Sequence, residues 1–430
     1  MSRTIHSMAN YVRRTVDDQL DLLVRALPAV SLDGPKGVGK TSTARERAST
    51  IFELDRQATL DVVRANPDRL VGASTPVLID EWQRYPASWD LVRRAVDDDS
   101  TPGQFLLTGS ASPSSPATHS GAARIATVRM RPLTLAERGV GTPTVSLGVL
   151  LAGVNGTIAG ATNVTLEQYV EEILASGLPG LRRLPASVRH EMLEGYLQLV
   201  IDRDFPEAGR QVRNPMALRR WMTAYAAATS TTASYDTIRD AATHRQEKTS
   251  KTTAIPYRDT LERIWILDPV SAWNPSHSHL TRLNDKSKHH LADPALAAAL
   301  LGANSDSLLE GAEVGPAISR DGTLLGALFE SLVALDLRVF AQANRAKVHH
   351  MRTWGGDREV DFIIERRDGR IVAVEVKLSA SIDDGDVKHL IWLAGKLGPQ
   401  LIDSAIITTG SDAYRRPDGI AVIPAALLGP

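Results

Sequence analysis

Residues 34–41 have the types and spacing of a loop that holds phosphate groups. They read Gly-Pro-Lys-Gly-Val-Gly-Lys-Thr, which fits the pattern G-x-x-x-x-G-K-[ST]. Glycines let main-chain N–H groups turn toward phosphate oxygens, and a helix starting near Lys40 would point its positive end at them. Lys40 is expected to reach the β- and γ-phosphates of ATP, and the Thr41 hydroxyl to ligate Mg²⁺. The candidate nucleotide-binding residues are Gly34, Pro35, Lys36, Gly37, Val38, Gly39, Lys40, Thr41 and Ser42.

A nucleotide site of this kind also needs an acidic group for the metal. Residues 76–81 read Pro-Val-Leu-Ile-Asp-Glu, a short apolar run that ends in two carboxylates. This pattern predicts a buried parallel strand whose carboxyl end faces the nucleotide. Asp80 is the candidate Mg²⁺ ligand, and Glu81 is the candidate residue that orients or deprotonates the attacking water.

A third apolar run, Gln-Phe-Leu-Leu-Thr-Gly-Ser, ends in small polar residues. Thr108 and Ser110 are the alternative candidates for a sensor of the γ-phosphate. Beyond them, Arg124, Arg129 and Arg131 are cations that can compensate the charge of a transition state. Arg124 is the catalytic candidate, whereas Arg129 and Arg131 are as readily surface or DNA-facing arginines.

The elements that position these residues indicate an α/β fold. The apolar run 27–32 precedes the Gly-rich loop as a strand, and helix-forming residues follow it. We therefore predict a P-loop NTPase domain over residues 1–140. Further along, we predict a linker and helical lid-like region (141–212), a winged-helix-like domain (213–301), a second linker (302–325) and an α/β nuclease-like domain (326–430).

The carboxy-terminal prediction rests on a hairpin. Two β-rich runs, 358–365 and 371–378, flank an Asp-Gly turn at 368–369. Folding about this turn places Asp361 roughly opposite residue 376. Glu375 and Lys377 are two residues apart on a strand, so their side chains share one face.

Four residues of this region then converge: Asp361, Glu375, Lys377 and Glu330, the last from the amphipathic helix predicted over 324–344. Carboxylates can hold a second Mg²⁺ or Mn²⁺, and a lysine can stabilise a developing phosphorane charge. The alternative is a solvated strand face with a simple ion pair.

The first domain resembles a group of prokaryotic AAA-type P-loop ATPases with a carboxy-terminal domain of unknown function. In these proteins a Gly commonly stands before the arginine where this chain has Ala123. The resemblance implies ATP binding and hydrolysis. The constellation of Glu330, Asp361, Glu375 and Lys377 resembles the PD-(D/E)xK nuclease superfamily. The segments that carry the first resemblance are YVRR (11–14), GPKGVGKT (34–41), LIDEWQRYP (78–86), VRRAVDD (92–98), FLLTGSAS (105–112) and AARIATVRMRPLTLAE (122–137).

The middle of the chain suggests three short helices followed by a hairpin, near residues 265–273 and 277–283, which is a winged-helix pattern. From Arg239 to Lys288 there are nine Lys or Arg against six Asp or Glu. DNA binding and protein packing are both open interpretations of this domain. Residues 140–166 carry no charge, but they are rich in Gly and Thr and are interpreted as a connection, not as a membrane span.

Composition bounds the remaining choices. The chain has 430 residues, 43% of them apolar, and a net charge of -1, which excludes nucleic-acid binding through overall positive charge. It has no Cys, which excludes disulfides and thiolate metal sites and fits the cytoplasm. Three functions stay open: an ATPase whose nucleotide state controls the carboxy-terminal half, a metal-dependent DNA nuclease regulated by ATP, or a non-catalytic nucleotide-sensing adaptor for a protein partner. A homo-oligomer is a further expectation.

Overall fold

The chain divides into two compact units, residues 1–130 and residues 131–430. The computed structural model describes residues 11–110, 123–153, 156–210, 212, 214–243, 251–274, 283, 285–312, 314–320 and 322–430.

The first unit contains a parallel sheet with helices between its strands. The strands are β1 (Ala29–Asp33), β2 (Thr50–Glu53), β3 (Val77–Asp80), β4 (Phe105–Gly109) and β5 (Ile125–Arg129). The helices are α1 (Thr15–Ala26), α2 (Lys40–Arg45), α3 (Gln57–Ala65) and α4 (Ala87–Asp98), with single 3₁₀ turns at Pro67–Leu70 and Trp82–Arg84.

The strand order β2-β3-β4-β1-β5 brings the predicted site together at one sheet edge. The register pairs Asp80 with Thr108 and Asp33 with Gly109. Parallel strands end at the same edge, so the loops after β1, β3 and β4 are neighbours. Helices cover both faces of such a sheet, which explains why the sequences of β3 and β4 are continuously apolar. All residues of β3 and β4 are buried.

The second unit contains a helical region and a mixed sheet. Its helices up to the sheet are α5 (Leu135–Arg138), α6 (Leu147–Ala152), α7 (Leu166–Ala175), α8 (Pro179–Arg182), α9 (Ala186–Leu199), α10 (Phe205–Glu207), α11 (Pro215–Ala227), α12 (Tyr235–Ala241), α13 (Lys251–Arg263), α14 (Pro294–Leu301), α15 (Ser305–Leu309) and α16 (Leu324–Ala343). A π-helical turn at Val200–Asp204 joins α9 to α10. Helix α16 agrees with the predicted helix over 324–344 to within one residue.

The mixed sheet has the order β7-β12-β13-β11-β10-β9-β8. Helix α17 (Asp384–Leu397) connects β10 to β11, and these two strands are parallel. Strands β9 and β10 form the predicted antiparallel hairpin, with Val374 opposite Phe362. The strands of this unit are β6 (Val145–Ser146), β7 (Gly160–Ala161), β8 (Lys347–Arg352), β9 (Glu359–Glu365), β10 (Ile371–Lys377), β11 (Leu401–Thr408), β12 (Asp412–Arg415), β13 (Ala421–Pro424) and β14 (Leu428–Gly429).

The Gly/Thr-rich segment expected to be a connection is part of the carboxy-terminal fold. Strand β6 pairs with β14 at the end of the chain, and β7 pairs with β12. Helix α6 between them buries Leu147, Leu150 and Leu151. The linker interpretation of this stretch is therefore wrong. Its short strands carry no sequence signal of their own, because their partners lie more than 200 residues away.

The helices of the predicted winged-helix domain are present as α11, α12 and α13. The strand expected near 277–283 falls almost wholly outside the described residues. The segment after α13 instead forms antiparallel bridges from Leu267 to Leu291 and from Val270 to Lys288. The predicted second linker also contains helix α15. Winged-helix character stays a prediction.

Among the described residues, no helix is long and apolar enough to cross a bilayer.

Candidate functional site

Three side chains meet at the carboxyl edge of the first sheet. The Thr41 hydroxyl donates to Asp80 Oδ1 at 2.7 Å, and the Thr108 hydroxyl donates to the same oxygen. Asp80 is buried, so these hydroxyls replace water as its hydrogen-bond partners. The sequence predicted both members of the proposed Mg²⁺ site, and the fold brings them into direct contact across 39 residues of chain.

Glu81 follows Asp80 in an unusual main-chain conformation. Its φ of 54° lies in the left-handed region, where residues other than glycine are uncommon. This conformation turns the side chain out of the strand, where Glu81 Oε1 accepts a hydrogen bond from Ser110 Oγ at 2.9 Å. Gln83 donates to the other carboxylate oxygen. Backbone strain of this kind clusters at functional sites.

The two sensor candidates divide their contacts between the two acids. Thr108 bonds to Asp80, the candidate metal ligand, whereas Ser110 bonds to Glu81, the candidate base. Both hydroxyl-bearing residues are buried at the end of β4. A sequence cannot assign such partners, because both residues follow the same apolar run.

Lys40 is buried beneath the Gly-rich loop. Its Nζ donates to the main-chain oxygens of Gly34 and Pro35, each at 2.8 Å. Burial lowers the pKa of Lys40 to about 8, although the carboxylates of Glu81, Asp33 and Asp80 oppose this shift. The ammonium group is therefore held by neutral carbonyl oxygens. Acidic residues lie around it, but none of the contacts described is an ion pair with Lys40.

Residues that precede the first helix brace the loop. Arg14 donates from its guanidinium to the main-chain oxygen of Val38 at 3.0 Å. The Tyr11 hydroxyl bonds to Asp17 and lies 3.0 Å from Thr43 Oγ1 in helix α2. The YVRR segment (11–14) therefore supports the Gly-rich loop and the helix that follows it.

Gly34 is required by close packing. A Cβ built at this position would lie 2.2 Å from the main-chain oxygen of Met130. The N–H of Met130 in turn donates to the Asp33 oxygen at 2.7 Å. Any larger residue at Gly34 would push the loop away from Met130, which follows strand β5.

Arg129 and Arg124 lie at opposite ends of strand β5. Arg129 is in register with Asp33, and its charge, like that of Lys40, counteracts the burial that raises the pKa of Asp33. Arg124 precedes the amino end of β5, roughly 15 Å from the loop edge at about 3.3 Å per strand residue. It forms an ion pair with Asp97 at 2.8 Å. The strand direction places Arg124 at the end of β5 that is far from the loop, which does not support a role for Arg124 at the nucleotide of its own chain.

In the second unit, the predicted carboxylates do converge. The register of the hairpin continues to Asp361 opposite Glu375, one residue from the expected 376, and Asp361 Oδ2 accepts from the Val376 N–H at 2.9 Å. The carboxyl groups of Asp361 and Glu375 share a hydrogen bond. Glu330 reaches the same place from helix α16. We call Glu330, Glu359, Asp361 and Glu375 the carboxylate cluster.

A residue that sequence reasoning did not select lies inside this cluster. Lys288 Nζ is 3.0 Å from each of Glu330 Oε1, Glu359 Oε1 and Asp361 Oδ1. Its side chain is 1% exposed. Lys288 was counted only as one of the basic residues of the middle region, and nothing local connects it to Asp361, 73 residues away.

The electrostatics of the cluster follow from this contact. Burial alone would lower the pKa of Lys288, but Asp361, Glu330 and Glu359 hold it well above its ordinary value. Burial raises the pKa of Glu330 to about 8, against the opposing effect of Lys288. Burial, and then the charge of Asp361, raise the pKa of Glu375 well above its ordinary value. Within this pair, Asp361 keeps the negative charge and Glu375 keeps the proton.

The cluster forms part of the wall of a cleft of about 820 Å³ within the second unit. Lys377, predicted from the D-x13-E-x-K pattern, also lines this cleft. Trp354 stands on its wall with 71% of its surface exposed. The described lining contains five Lys or Arg and four carboxylates.

A second divalent ion does not fit this arrangement. The ammonium of Lys288 takes the space between three of the carboxylates where such an ion would need oxygen ligands at about 2.0–2.6 Å. No group of three or more acidic or His side chains in the described part of the chain has metal-binding geometry. The arrangement around Lys288 therefore gives no support to the expectation of Mg²⁺ or Mn²⁺ in the carboxy-terminal domain.

Three of the basic residues of the middle region form ion pairs within the fold, as far as the structure describes their side chains. Arg239 pairs with Asp236 and Asp240, and Lys288 belongs to the cluster described above. Arg258 pairs with Asp259. These three residues therefore do not supply a free basic face. Four other basic residues of the segment, Arg245, Lys248, Lys251 and Arg282, have side chains outside the described part of the chain.

Comparisons with known proteins agree with the geometry of the first unit. Residues 27–138 match the family described as AAA domain. Together with the loop, Thr41 and Asp80, this match supports an AAA-like P-loop domain in this part of the chain. Residues 166–307 and 325–428 match two domains of unknown function, DUF8612 and DUF4143.

Similar whole proteins are known from mycobacteria. The uncharacterized protein Rv2008c of Mycobacterium tuberculosis is 27% identical over 423 residues, covering 96% of this chain and 83% of that protein. The uncharacterized protein Mb2031c of Mycobacterium bovis has the same identity and coverage. Among solved structures, the Walker-type ATPase PABY2304 of Pyrococcus abyssi matches with a TM-score of 0.41 and 17% identity, covering 70% of this chain and 98% of that one.

Proposed function

We propose that the protein binds ATP with Mg²⁺ at the loop 34–41 and hydrolyses it. The observation that carries this proposal is the hydrogen bond of 2.7 Å between Thr41 Oγ1 and Asp80 Oδ1. A hydroxyl and a carboxylate in contact are the oxygen donors that Mg²⁺ prefers beside a nucleotide. When bound, the metal neutralises charge that develops on the phosphates.

The other residues take roles that follow from their contacts. Lys40 is held close to the loop by carbonyls that it can exchange for phosphate oxygens, which are stronger acceptors. Glu81, oriented by Ser110, positions a water for attack and accepts its proton. Thr108 keeps the Asp80 carboxylate turned toward Thr41.

The experiment is phosphate release by the full chain with Mg²⁺ and ATP. Wild type should turn over ATP, and Lys40→Ala should lose both binding and turnover. Glu81→Gln should retain ATP binding but lose turnover. If wild type binds ATP and releases no phosphate, the non-catalytic nucleotide-sensing adaptor becomes the better account.

A second candidate function is nucleic-acid binding by the cleft of the second unit. Two features favour it: the exposed Trp354, on which a base can stack, and the nearby cations Arg352 and Lys377. Binding of labelled single-stranded DNA should weaken steeply with salt and fall in Trp354→Ala. Salt-insensitive association, or equal binding by Trp354→Ala, would contradict it.

Control of the carboxy-terminal half by the nucleotide state stays a prediction. ATP turnover measured with and without DNA tests it directly, with Lys40→Ala as the control. Cleavage of DNA also stays a prediction, and Lys288 argues against the metal-dependent form of it. Homo-oligomer formation and binding of a protein partner are further predictions.

A further inference from the structure

We propose that Lys288 takes the place of a divalent cation in the carboxylate cluster, so that the cleft of the second unit receives its ligand without a metal ion. The inference concerns residues 131–430 alone and does not depend on ATP hydrolysis.

The first argument is distance. One ammonium nitrogen lies 3.0 Å from oxygens of Glu330, Glu359 and Asp361. These oxygens surround a single position that already holds a positive charge. A divalent cation at the same position would overlap the ammonium group, and one beside it would be repelled by a like charge in a site with little water.

The second argument is that the lysine is anchored. The N–H of Lys288 donates to the Val270 oxygen at 2.8 Å, and the Val270 N–H donates to the Lys288 oxygen at 2.9 Å. The next residue, His289, is tied to Thr231 through its N–H at 2.9 Å. Because the main chain is fixed on both sides, Cα of Lys288 stays within side-chain reach of the cluster, and an ammonium that left would leave three carboxylates without their shared counter-ion.

The third argument is an open acceptor in the cleft. Glu375 is 5% exposed and lines the cleft, yet its Oε1 has no hydrogen-bond partner among the described residues. His389 Nδ1 lies 3.9 Å from this oxygen, which is too far for a hydrogen bond, and it is paired with the Glu359 main-chain oxygen instead. Buried acceptors are normally satisfied. A ligand N–H or O–H group fits this oxygen, which makes the cleft a site for a hydrogen-bonding ligand.

The test uses Mn²⁺ alone as the probe, titrated into the full chain without nucleotide. Wild type and Asp361→Asn should give the same isotherm, because Asp361 contacts no metal in either. Lys288→Met should gain one Mn²⁺ site that wild type lacks, because three carboxylates lose their counter-ion. Combining Lys288→Met with Asp361→Asn should remove the new site.

A matched control and a stability measurement complete the design. Lys286→Met removes a lysine from the same cleft but leaves the cluster intact, so it should gain no Mn²⁺ site. Mn²⁺ should raise the melting temperature of Lys288→Met and leave that of wild type unchanged apart from any shift also seen in Asp361→Asn.

The wild-type comparison alone can overturn the proposal, even if Lys288→Met does not fold. A Mn²⁺ site in wild type that disappears in Asp361→Asn would show that metal displaces the lysine. Mn²⁺-dependent nicking of plasmid DNA that is lost in Glu375→Ala would have the same consequence. If Lys288→Met or Lys288→Gln folds but gains no Mn²⁺ site, the proposal is also overturned. The cluster would then exclude a metal ion for a reason other than Lys288.

Discussion

The loop site and the carboxylate cluster each combine acids with a buried lysine, but they hold the lysine differently. Lys40 donates to main-chain carbonyls of its own loop, and Asp80 is satisfied by two hydroxyls. Lys288 donates directly to carboxylates. Neutral partners can be exchanged for a phosphate and its metal at little cost, whereas a buried ion pair cannot be opened without leaving charges unpaired. The same residue types therefore make an exchangeable site in one unit and a locked one in the other.

The largest expected effect separates the two lysines by stability. Lys288→Ala leaves buried carboxylates without their counter-ion and should destabilise the protein by about 3 kcal/mol or more. Lys40→Ala removes hydrogen bonds to neutral carbonyls and should reduce the free energy of unfolding by only about 1 kcal/mol. Urea unfolding followed by circular dichroism measures both. Lys286→Ala is the control for a cleft lysine outside the cluster, and equal losses for Lys288→Ala and Lys40→Ala would break the comparison.

The next effect concerns activity at the exchangeable site. Glu81→Gln keeps the shape of the side chain but cannot accept a proton, so phosphate release should fall about 10²-fold or more while the Kd for ATP changes little. Glu53→Gln is a matched control, because Glu53 ends the neighbouring strand and is paired with Arg45 and Arg56. Turnover that survives in Glu81→Gln would assign the base to another residue.

A smaller effect compares the lysine-bound acids with a buried acid that has no lysine. Asp336 in α16 accepts from the Leu135 N–H at 3.2 Å, and burial raises its pKa to about 8, with Arg138 opposing and Glu137 and Glu172 adding to the shift. A raised pKa stabilises the fold at low pH, and this contribution is lost as the pH rises toward 8. The melting temperature of wild type should therefore fall between pH 6 and pH 8.5.

Asp336→Asn isolates that contribution. Its amide stays neutral and can still accept from the Leu135 N–H, so its melting temperature should fall less over the same interval. Glu330 and Glu375 titrate in the same direction in both proteins and cancel in the difference. An identical pH dependence for wild type and Asp336→Asn would mean that Asp336 is charged in the fold.

The smallest expected effect tests whether Arg124 lies too far from the loop to act on the nucleotide of its own chain. Since Arg124 lies at the end of the sheet away from the loop, Arg124→Ala should change the rate of phosphate release by less than about two-fold. The rate of phosphate release could instead fall 10-fold or more in Arg124→Ala at high protein concentration, with a smaller fall after dilution. That result would mean that Arg124 reaches the nucleotide of a neighbouring copy.

Local patterns predicted the first unit well. The Gly-rich loop, the strand ending in Asp80 and Glu81, and the strand ending at Thr108 all lie where their apolar runs and spacing indicate. Parallel strands aligned by burial place such residues at one edge without further information. The hairpin that joins Asp361 to Glu375 was predicted for a similar reason, because an Asp-Gly turn fixes its register to within one residue.

What failed depended on distant partners. The sequence indicated a connection over segment 145–161 because each of its strands is only two residues long. These strands form only by pairing with β12 and β14. Arg124 was assigned to the nucleotide from its position in a motif, whereas the direction of β5 decides which edge it occupies.

The sequence by itself determined the candidate nucleotide-binding residues, since phosphate recognition depends on a contiguous loop and on strands whose ends meet by topology. Only the tertiary structure decided the chemistry of the second site. A lysine brought in from 73 residues away fills the space between three acids. Charges interact through space, so a counter-ion that changes a site from metal-binding to metal-free leaves no trace in the spacing of the acids it neutralises.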